Sequence, residues 1–351
     1  MNLHELEPLA RERLTEQAYA YLAGGSGDEH TLGWNTEAWQ RIKLAPRFLV
    51  DVSAIDTRLS LLGHDLVAPI LLAPTASHLL FHPKGELETV RGAAAAEALF
   101  ILSSLASLGV QEVGAAAAGP WWFQVYVQRD RGFTRDHARR AVDAGASALV
   151  LTVDLPVLGA RDTDRRNSLG LPPGVDFANL PGLEADPDPL PPERRVYNPH
   201  LDPTVTWDDL SWLASLVDVP VLAKGVLRPD DARRAVDHGA AAVVVSNHGA
   251  RNLDTVPATA EALPRIVDEV GGELPVLVDG GIRRGTDVAK ALMLGATAVL
   301  IGRPYVWGLA AYGADGVKLA VDLLRTELEM AMGLLGAPTL ADLTPDLVWR
   351  D

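Results

Sequence analysis

The chain has 351 residues, 48% of them hydrophobic, with a formal charge of -15 and no cysteine. A large core is within reach of that composition, while the missing thiols exclude disulfides, thiolate metal sites and a cysteine nucleophile, and the negative charge disfavours nucleic acid and anionic membrane as partners. No apolar run reaches the roughly 18 to 20 residues that span a bilayer and the start lacks a basic-then-apolar leader, so a soluble, cytoplasmic protein is expected, its anionic ligands held by a few local Arg or Lys residues.

Leu6, Leu9, Ala10, Leu14, Ala18, Tyr21 and Leu22 recur on a helical period and stop at Gly24-Gly25-Ser26-Gly27, which predicts one N-terminal helix within a helical extension over residues 1–66. Eight short apolar runs follow: Pro69 to Ala73, Leu99 to Ser103, Trp122 to Val127, Ala148 to Val153, Pro220 to Lys224, Ala241 to Ser246, Pro275 to Asp279 and Thr297 to Gly302. Ala-, Arg- and Leu-rich stretches of helical length separate most of them, so the strands should be parallel with helical crossovers. A single (β/α)8 TIM barrel over 1–351 is expected, with a doubly wound open sheet as the alternative. Arg139 to Ala146 leading to Asp154 is echoed by Arg233 to Ala240 leading to His248, which puts Asp154 and His248 at equivalent strand ends facing one mouth. Between the fourth and fifth strands lies a long loop rich in Pro, Asp and Glu, 167–209, read as a lid. Gly316 to Leu335 reads as an amphipathic helix, and the ending carries no peroxisomal address.

The polar groups cluster where these strands end. The β-branched run Val243 to Val245 stops at Ser246-Asn247-His248-Gly249-Ala250-Arg251, which offers a base and a permanent cation. Asp279-Gly280-Gly281-Ile282-Arg283 and Gly302-Arg303-Pro304 pair glycines with guanidinium groups, the composition of a phosphate site, and Lys224 can place a fixed cation inside the mouth. His78 and His82 have a metal-like spacing, but no third ligand accompanies them and Pro83 disfavours a helix at His82, so no metal is expected.

Ser246-Asn247-His248-Gly249-Ala250-Arg251-Asn252-Leu253-Asp254 resembles the signature of the FMN-dependent α-hydroxy-acid oxidase and dehydrogenase family, the glycolate oxidase group. The likeness runs almost end to end, through Ala73-Pro74-Thr75-Ala76, His82-Pro83-Lys84-Gly85-Glu86, Leu102-Ser103-Ser104, Phe123-Gln124-Val125-Tyr126, Leu151-Thr152-Val153-Asp154, Ala223-Lys224-Gly225, Asp279-Gly280-Gly281-Ile282-Arg283 and Ile301-Gly302-Arg303. The resemblance implies FMN as cofactor. Pro74, Thr75 and Ala76 would lie along the flavin, Ser103, Gln124 and Thr152 would hydrogen-bond its ring, and Lys224 would approach its N1–C2 carbonyl region. Ser246 would contact the ribityl region, and Asp279, Gly281, Arg283, Gly302 and Arg303 would hold ribityl and phosphate. Arg161 and Arg251 would clamp a substrate carboxylate, helped by Tyr21, while Tyr126 bonds the hydroxyl, His248 acts as base and Asp154 stabilises its imidazolium.

By this resemblance the chain oxidises an L-2-hydroxy acid to the 2-oxo acid with dioxygen as acceptor, as a homotetramer or octamer. A soluble dehydrogenase that passes electrons to a quinone or carrier protein is the alternative; a flavin-binding protein without turnover and a flavin-free barrel acting on a phosphorylated metabolite are the others. Two departures concern specificity. Leu105 stands where plant-type glycolate oxidases have Trp, and Ser77-His78-Leu79-Leu80-Phe81 replaces a differently sized stretch, so Ser77, His78 and Leu105 are expected to line a pocket for a substrate bulkier than glycolate, such as lactate, a medium-chain acid or mandelate. A third is Ala160 beside Arg161, where relatives usually carry a second arginine.

Overall fold

The computed structural model describes residues 1–166, 175–180, 196–197 and 201–349. The one helix expected near the N-terminus is two, α1 (Leu6–Arg11) and α2 (Glu16–Ala23). The break falls at Thr15, in extended backbone, whose hydroxyl accepts from Ala18 N at 3.1 Å: a helix start hidden inside an unbroken apolar period. Helix α3 (His30–Arg41) follows, then an antiparallel hairpin of β1 (Leu59–Leu61) and β2 (His64–Leu66). Helix α3 lies within the expected helical extension, though no sustained period singles it out, while the hairpin departs from it, each of its strands being only 3 residues long.

The next eight strands are β3 (Ile70–Leu72), β4 (Phe100–Leu102), β5 (Trp121–Val125), β6 (Leu149–Thr152), β7 (Val221–Val226), β8 (Val243–Val245), β9 (Val276–Val278) and β10 (Ala298–Ile301). All are parallel, and β10 pairs with both β9 and β3, so the sheet closes and the open-sheet alternative falls. Around it run α4 (Glu86–Ala95), α5 (Val110–Ala116), α6 (Arg131–Asp143), α7 (Asp162–Arg166), α8 (Trp207–Ser215), α9 (Pro229–Asp237), α10 (Thr259–Val270), α11 (Gly285–Met293), α12 (Arg303–Tyr312) and α13 (Ala314–Leu335). Among the described residues no helix is long and apolar enough to cross a membrane.

Strand side chains alternate between two cores. Outward-facing Ile70, Phe100, Phe123, Leu149 and their equivalents pack on the helices. Inward-facing Leu71, Ile101, Trp122, Val150, Leu222, Val244, Leu277 and Leu300 fill the barrel, and Leu61 and Leu66 of the hairpin join this inner cluster as a plug. The 167–209 insert falls mostly outside the described residues. Within it, Asn179 accepts from Val110 N at 2.7 Å and donates to Leu108 O at 3.0 Å, which ties residues 175–180 to the loop after β4. The chain re-enters at Leu201, bridged to Gln128, and α8 begins at Trp207, just inside the expected boundary.

Helix α6 buries a histidine. His137 is 3% exposed, its ring 4.9 Å from that of Phe123 and 5.5 Å from that of Phe133. Burial, aided by the charge of Arg140, pushes its pKa down from 6.5 to about 4. The unfolded chain therefore takes up this proton first. The histidine's contribution is complete above pH 6.5 and is lost as pH falls toward 4, up to about 3 kcal/mol. Replacing it by leucine (His137→Leu) is expected to flatten that part of the Tm–pH profile; equal slopes for both proteins would contradict this.

Candidate active site

The period of two also builds the site. Two residues beyond the inward apolar set come Ala73, Ser103, Gln124, Thr152, Lys224, Ser246, Asp279 and Gly302, on the same face and one layer nearer the C-terminal mouth. Two residues further on three of those strands come Tyr126, Asp154 and His248.

The lower layer is a hydrogen-bonded floor. Gln124 Nε2 donates to Thr152 Oγ1 at 3.1 Å, and its Oε1 accepts from Ser103 Oγ at 3.4 Å and from Ser104 N and Oγ, both at 3.1 Å. Lys224 Nζ lies 3.0 Å from Ser246 Oγ and 3.2 Å from Asp279 Oδ2, while Ser246 Oγ donates to that same carboxylate oxygen at 2.9 Å. Ser246 is wholly buried beneath the ion pair and acts as its bracket.

In the upper layer His248 Nδ1 is 2.8 Å from Asp154 Oδ1, and Nε2 is 3.5 Å from the Tyr126 hydroxyl. Burial alone would raise the Asp154 carboxyl; the charge and hydrogen bond of His248, with the charge of Lys224, outweigh it and hold the group below the usual carboxylate range. An ionised Asp154 can only accept, so Nδ1 carries a proton, and in the neutral tautomer this selects it is Nε2 that bears the lone pair. Burial and the nearby Asp154 and Tyr21 push the Tyr126 phenol up, so it stays a neutral donor. Gly225 makes the approach possible: at φ +110°, any Cβ there would sit 2.6 Å from Asp154 Cγ. Asn252 Nδ2 fixes the same residue from above through Asp154 O, at 2.8 Å.

Beside this pair two guanidinium groups lie over the ring of Tyr21, on α2, Arg251 Cζ at 4.8 Å and Arg161 Cζ at 5.9 Å from its centroid. Arg251 Nη1 donates to Tyr21 O at 2.7 Å and Gly24 O at 2.9 Å. The arginines are thereby oriented by an N-terminal helix far away in sequence.

A second cationic cluster lies alongside. Arg303 donates to Leu22 O, Gly249 O and Gly24 O at 2.8, 2.9 and 2.9 Å. Burial, with the charges of Arg251 and Arg283, pushes its pKa down to about 9; burial also lowers that of Arg283. Such a cluster calls for an anion. Asp279 Oδ1 is buried with no hydrogen-bond partner among the described residues. An unspent carboxylate oxygen suits ligand hydroxyls and crowded guanidinium groups suit a phosphate, and FMN carries both.

Pro74, Thr75 and Ala76 form the half-buried turn after β3, and Thr75 Oγ1 bonds His78 Nε2 at 2.6 Å and the Tyr305 hydroxyl. His78 is fully buried, with Nδ1 2.8 Å from Thr89 Oγ1, and Ser77 is 1% exposed. Ser77 is left-handed (φ 55°), and the chain enters the short helix His78–Leu80 directly after it. Leu105 is half-buried, its carbonyl accepting from Ser77 N at 3.1 Å. Sequence reasoning missed Ser104, Gly225 and Asn252, although each adjoins or lies inside a motif already singled out.

A family model described as FMN-dependent dehydrogenase matches residues 10–350. The chain is 48% identical to an L-lactate oxidase of Nostoc sp., covering 98% of this chain and 96% of that protein. It is 45% identical to a peroxisomal (S)-2-hydroxyacid oxidase of Arabidopsis thaliana, covering 98% and 95%. A crystal structure of mandelate oxidase with (S)-2-phenylpropionate superposes with a TM-score of 0.89 at 42% identity, over 97% of this chain and 96% of that one.

Removal of the Arg283 guanidinium (Arg283→Ala) is expected to weaken FMN binding about 10- to 100-fold, the worth of one charge-assisted phosphate contact. Quenching of flavin fluorescence on titrating apoprotein measures it; an unchanged Kd would contradict the assignment.

Proposed function

The chain belongs to the family of FMN-dependent dehydrogenases, and from that premise we propose that it is an (S)-2-hydroxy-acid oxidase, turning hydroxy acid and dioxygen into 2-oxo acid and hydrogen peroxide. The observation that carries this reading is the His248–Asp154 contact of 2.8 Å at the barrel mouth, near the Tyr21 ring with Arg161 and Arg251 over it. FMN, when bound, supplies the acceptor for the two electrons that leave the substrate's α-carbon.

Arg251 and Arg161 bind the carboxylate, since planar guanidinium groups match carboxylate geometry. Tyr21 adds a hydrogen bond to that carboxylate, and Tyr126 holds the hydroxyl. His248 Nε2 takes the proton that the substrate gives up, and the ionised Asp154 stabilises the resulting imidazolium. Pro74, Thr75 and Ala76 flank the flavin, Ser103, Gln124 and Thr152 hold its ring, Lys224 supplies positive charge beside it, with Ser246 as bracket, and Asp279, Gly281, Arg283, Gly302 and Arg303 hold its ribityl and phosphate end.

The relatives' names favour dioxygen over a quinone or carrier protein, since both curated proteins cited above are oxidases. A substrate larger than glycolate fits Leu105 in place of Trp, and the mandelate oxidase structure supports the same direction. Association of copies, as a tetramer or octamer, draws support from an apolar rim: Phe48, Leu49 and Val50 are 79, 106 and 40% exposed, and Met330 and Leu334 at the end of α13 are 61 and 75% exposed. An acidic chain with no helix among its described residues long and apolar enough to cross a membrane fits a cytoplasmic place.

Anaerobic addition of (S)-2-hydroxy acids to the yellow holoprotein is expected to bleach the flavin, the (R) acids to leave it unchanged, and admitted oxygen to restore colour with one peroxide per acid. Bleaching without oxygen uptake would instead favour a quinone or protein acceptor. No bleaching would leave a flavin-binding protein without turnover. In a turnover panel, lactate or a larger acid is expected to exceed glycolate in kcat/KM by at least about 10-fold, the worth of a methylene or two in an apolar pocket; glycolate as the best substrate would contradict the reading of Leu105.

A further inference from the structure

The turn that presents His248 is an unfavourable one. His248, Gly249 and Ala250 have φ of 58°, 60° and 64°, three successive left-handed residues of which two bear a Cβ. Such a turn relaxes unless surrounding contacts fix it; Arg303 and Ser26 N hold the carbonyls of Gly249 and Ala250, at 2.9 and 2.8 Å, and the side-chain brace of the turn comes from α3. Asn35 Nδ2 donates to Asn247 Oδ1 at 2.9 Å, and Asn247 Nδ2 donates back to Asn35 Oδ1 at 2.8 Å. Asn247 Oδ1 also accepts from Ala250 N at 3.2 Å, across the turn, and Asn247 Nδ2 from the same amide reaches Pro257 O at 3.2 Å. Asn35 Oδ1 accepts in addition from Thr259 N at 3.3 Å, at the start of α10. Both amides are buried, 2% and 4% exposed.

Two amides face to face exchange two hydrogen bonds, which fixes distance and twist together; a carboxylate or an apolar side chain supplies neither pattern. Helix α3 is seated where this matters. A Cβ on Gly281 would lie 2.1 Å from Asn35 O, and Asp254 accepts from His30 N and Thr31 N, at 3.2 and 2.8 Å, in the first turn of α3. We infer that Asn35 is a positioning residue for the reaction: through Asn247 it holds the left-handed His248–Ala250 turn in the geometry that aims His248. The kinetic part of this inference rests on the proposed oxidase reading; the structural part does not.

The test uses FMN-loaded enzyme and compares Asn35→Ala with Ala38→Gly, which loosens the same helix without touching the turn. Hydrogen exchange of the 248–252 amides is expected to rise about tenfold in Asn35→Ala alone, with the barrel strands unchanged. Its kcat is expected to fall about 30- to 100-fold with KM within about threefold, because Arg251 keeps its separate ties to Tyr21 O and Gly24 O. Asn35→Ser, which retains a hydroxyl and is expected to lose less, carries the comparison if Asn35→Ala does not load FMN. Unchanged exchange and kcat in both Asn35 variants, or equal effects in Ala38→Gly, would overturn the inference. If the wild type oxidises no 2-hydroxy acid, the functional reading fails while the exchange comparison still decides whether Asn35 braces the turn.

Discussion

In a closed barrel of parallel strands every second side chain must point inward, and this one has no aqueous interior to receive it. The constraint orders the whole molecule. Leu71, Trp122, Val244 and their equivalents fill the middle, the β1–β2 hairpin plugs one end, and polarity is admitted only at the other. Advancing two residues from Trp122, Val150 and Val244 reaches Gln124, Thr152 and Ser246, and two more reach Tyr126, Asp154 and His248. The polar floor and the layer that bears Tyr126, Asp154 and His248 are thus consecutive layers of one stack, their spacing set by the rise of a strand.

The upper layer depends on chain outside the barrel. The segment from Tyr21 to Thr31 supplies carbonyls to Arg251 and Arg303 and amides to Asp254, and α3 supplies the amide that meets Asn247. Burial, and then the charges of Arg251 and Arg283, lower the proton affinity of the Arg303 guanidinium, the condition a bound anion relieves. In the proposed reading, cofactor phosphate and substrate carboxylate would share this one cluster of positive charge with the N-terminal carbonyls, which is how a chain of charge -15 could hold two anionic ligands.

The barrel was legible because fully buried parallel strands are continuous apolar runs, and each of the eight runs holds one strand. The pairing of Asp154 with His248 was foreshadowed by the echo between Arg139–Ala146 and Arg233–Ala240, since equal lengths of helix and turn deliver equivalent strand ends. The break at Thr15 stayed hidden because α1 and α2 share one apolar face. Asn35 gave no signal, since a polar residue on a helix reads as solvated until its partner, distant in sequence, is known. The full burial of His78 was equally hidden, since it follows a left-handed Ser77, a backbone turn that sequence spacing does not announce.

The central claim is that His248 accepts the substrate proton while an ionised Asp154 holds it in place. Anaerobic single-turnover bleaching of the flavin in an Asp154→Asn enzyme tests this most directly, because the amide keeps the shape and removes the charge. The rate constant is expected to fall about 10²- to 10⁴-fold, the range of general-base catalysis, with the Kd of a non-reacting carboxylate analogue unchanged. A rate constant within a factor of about three of wild type would contradict the account.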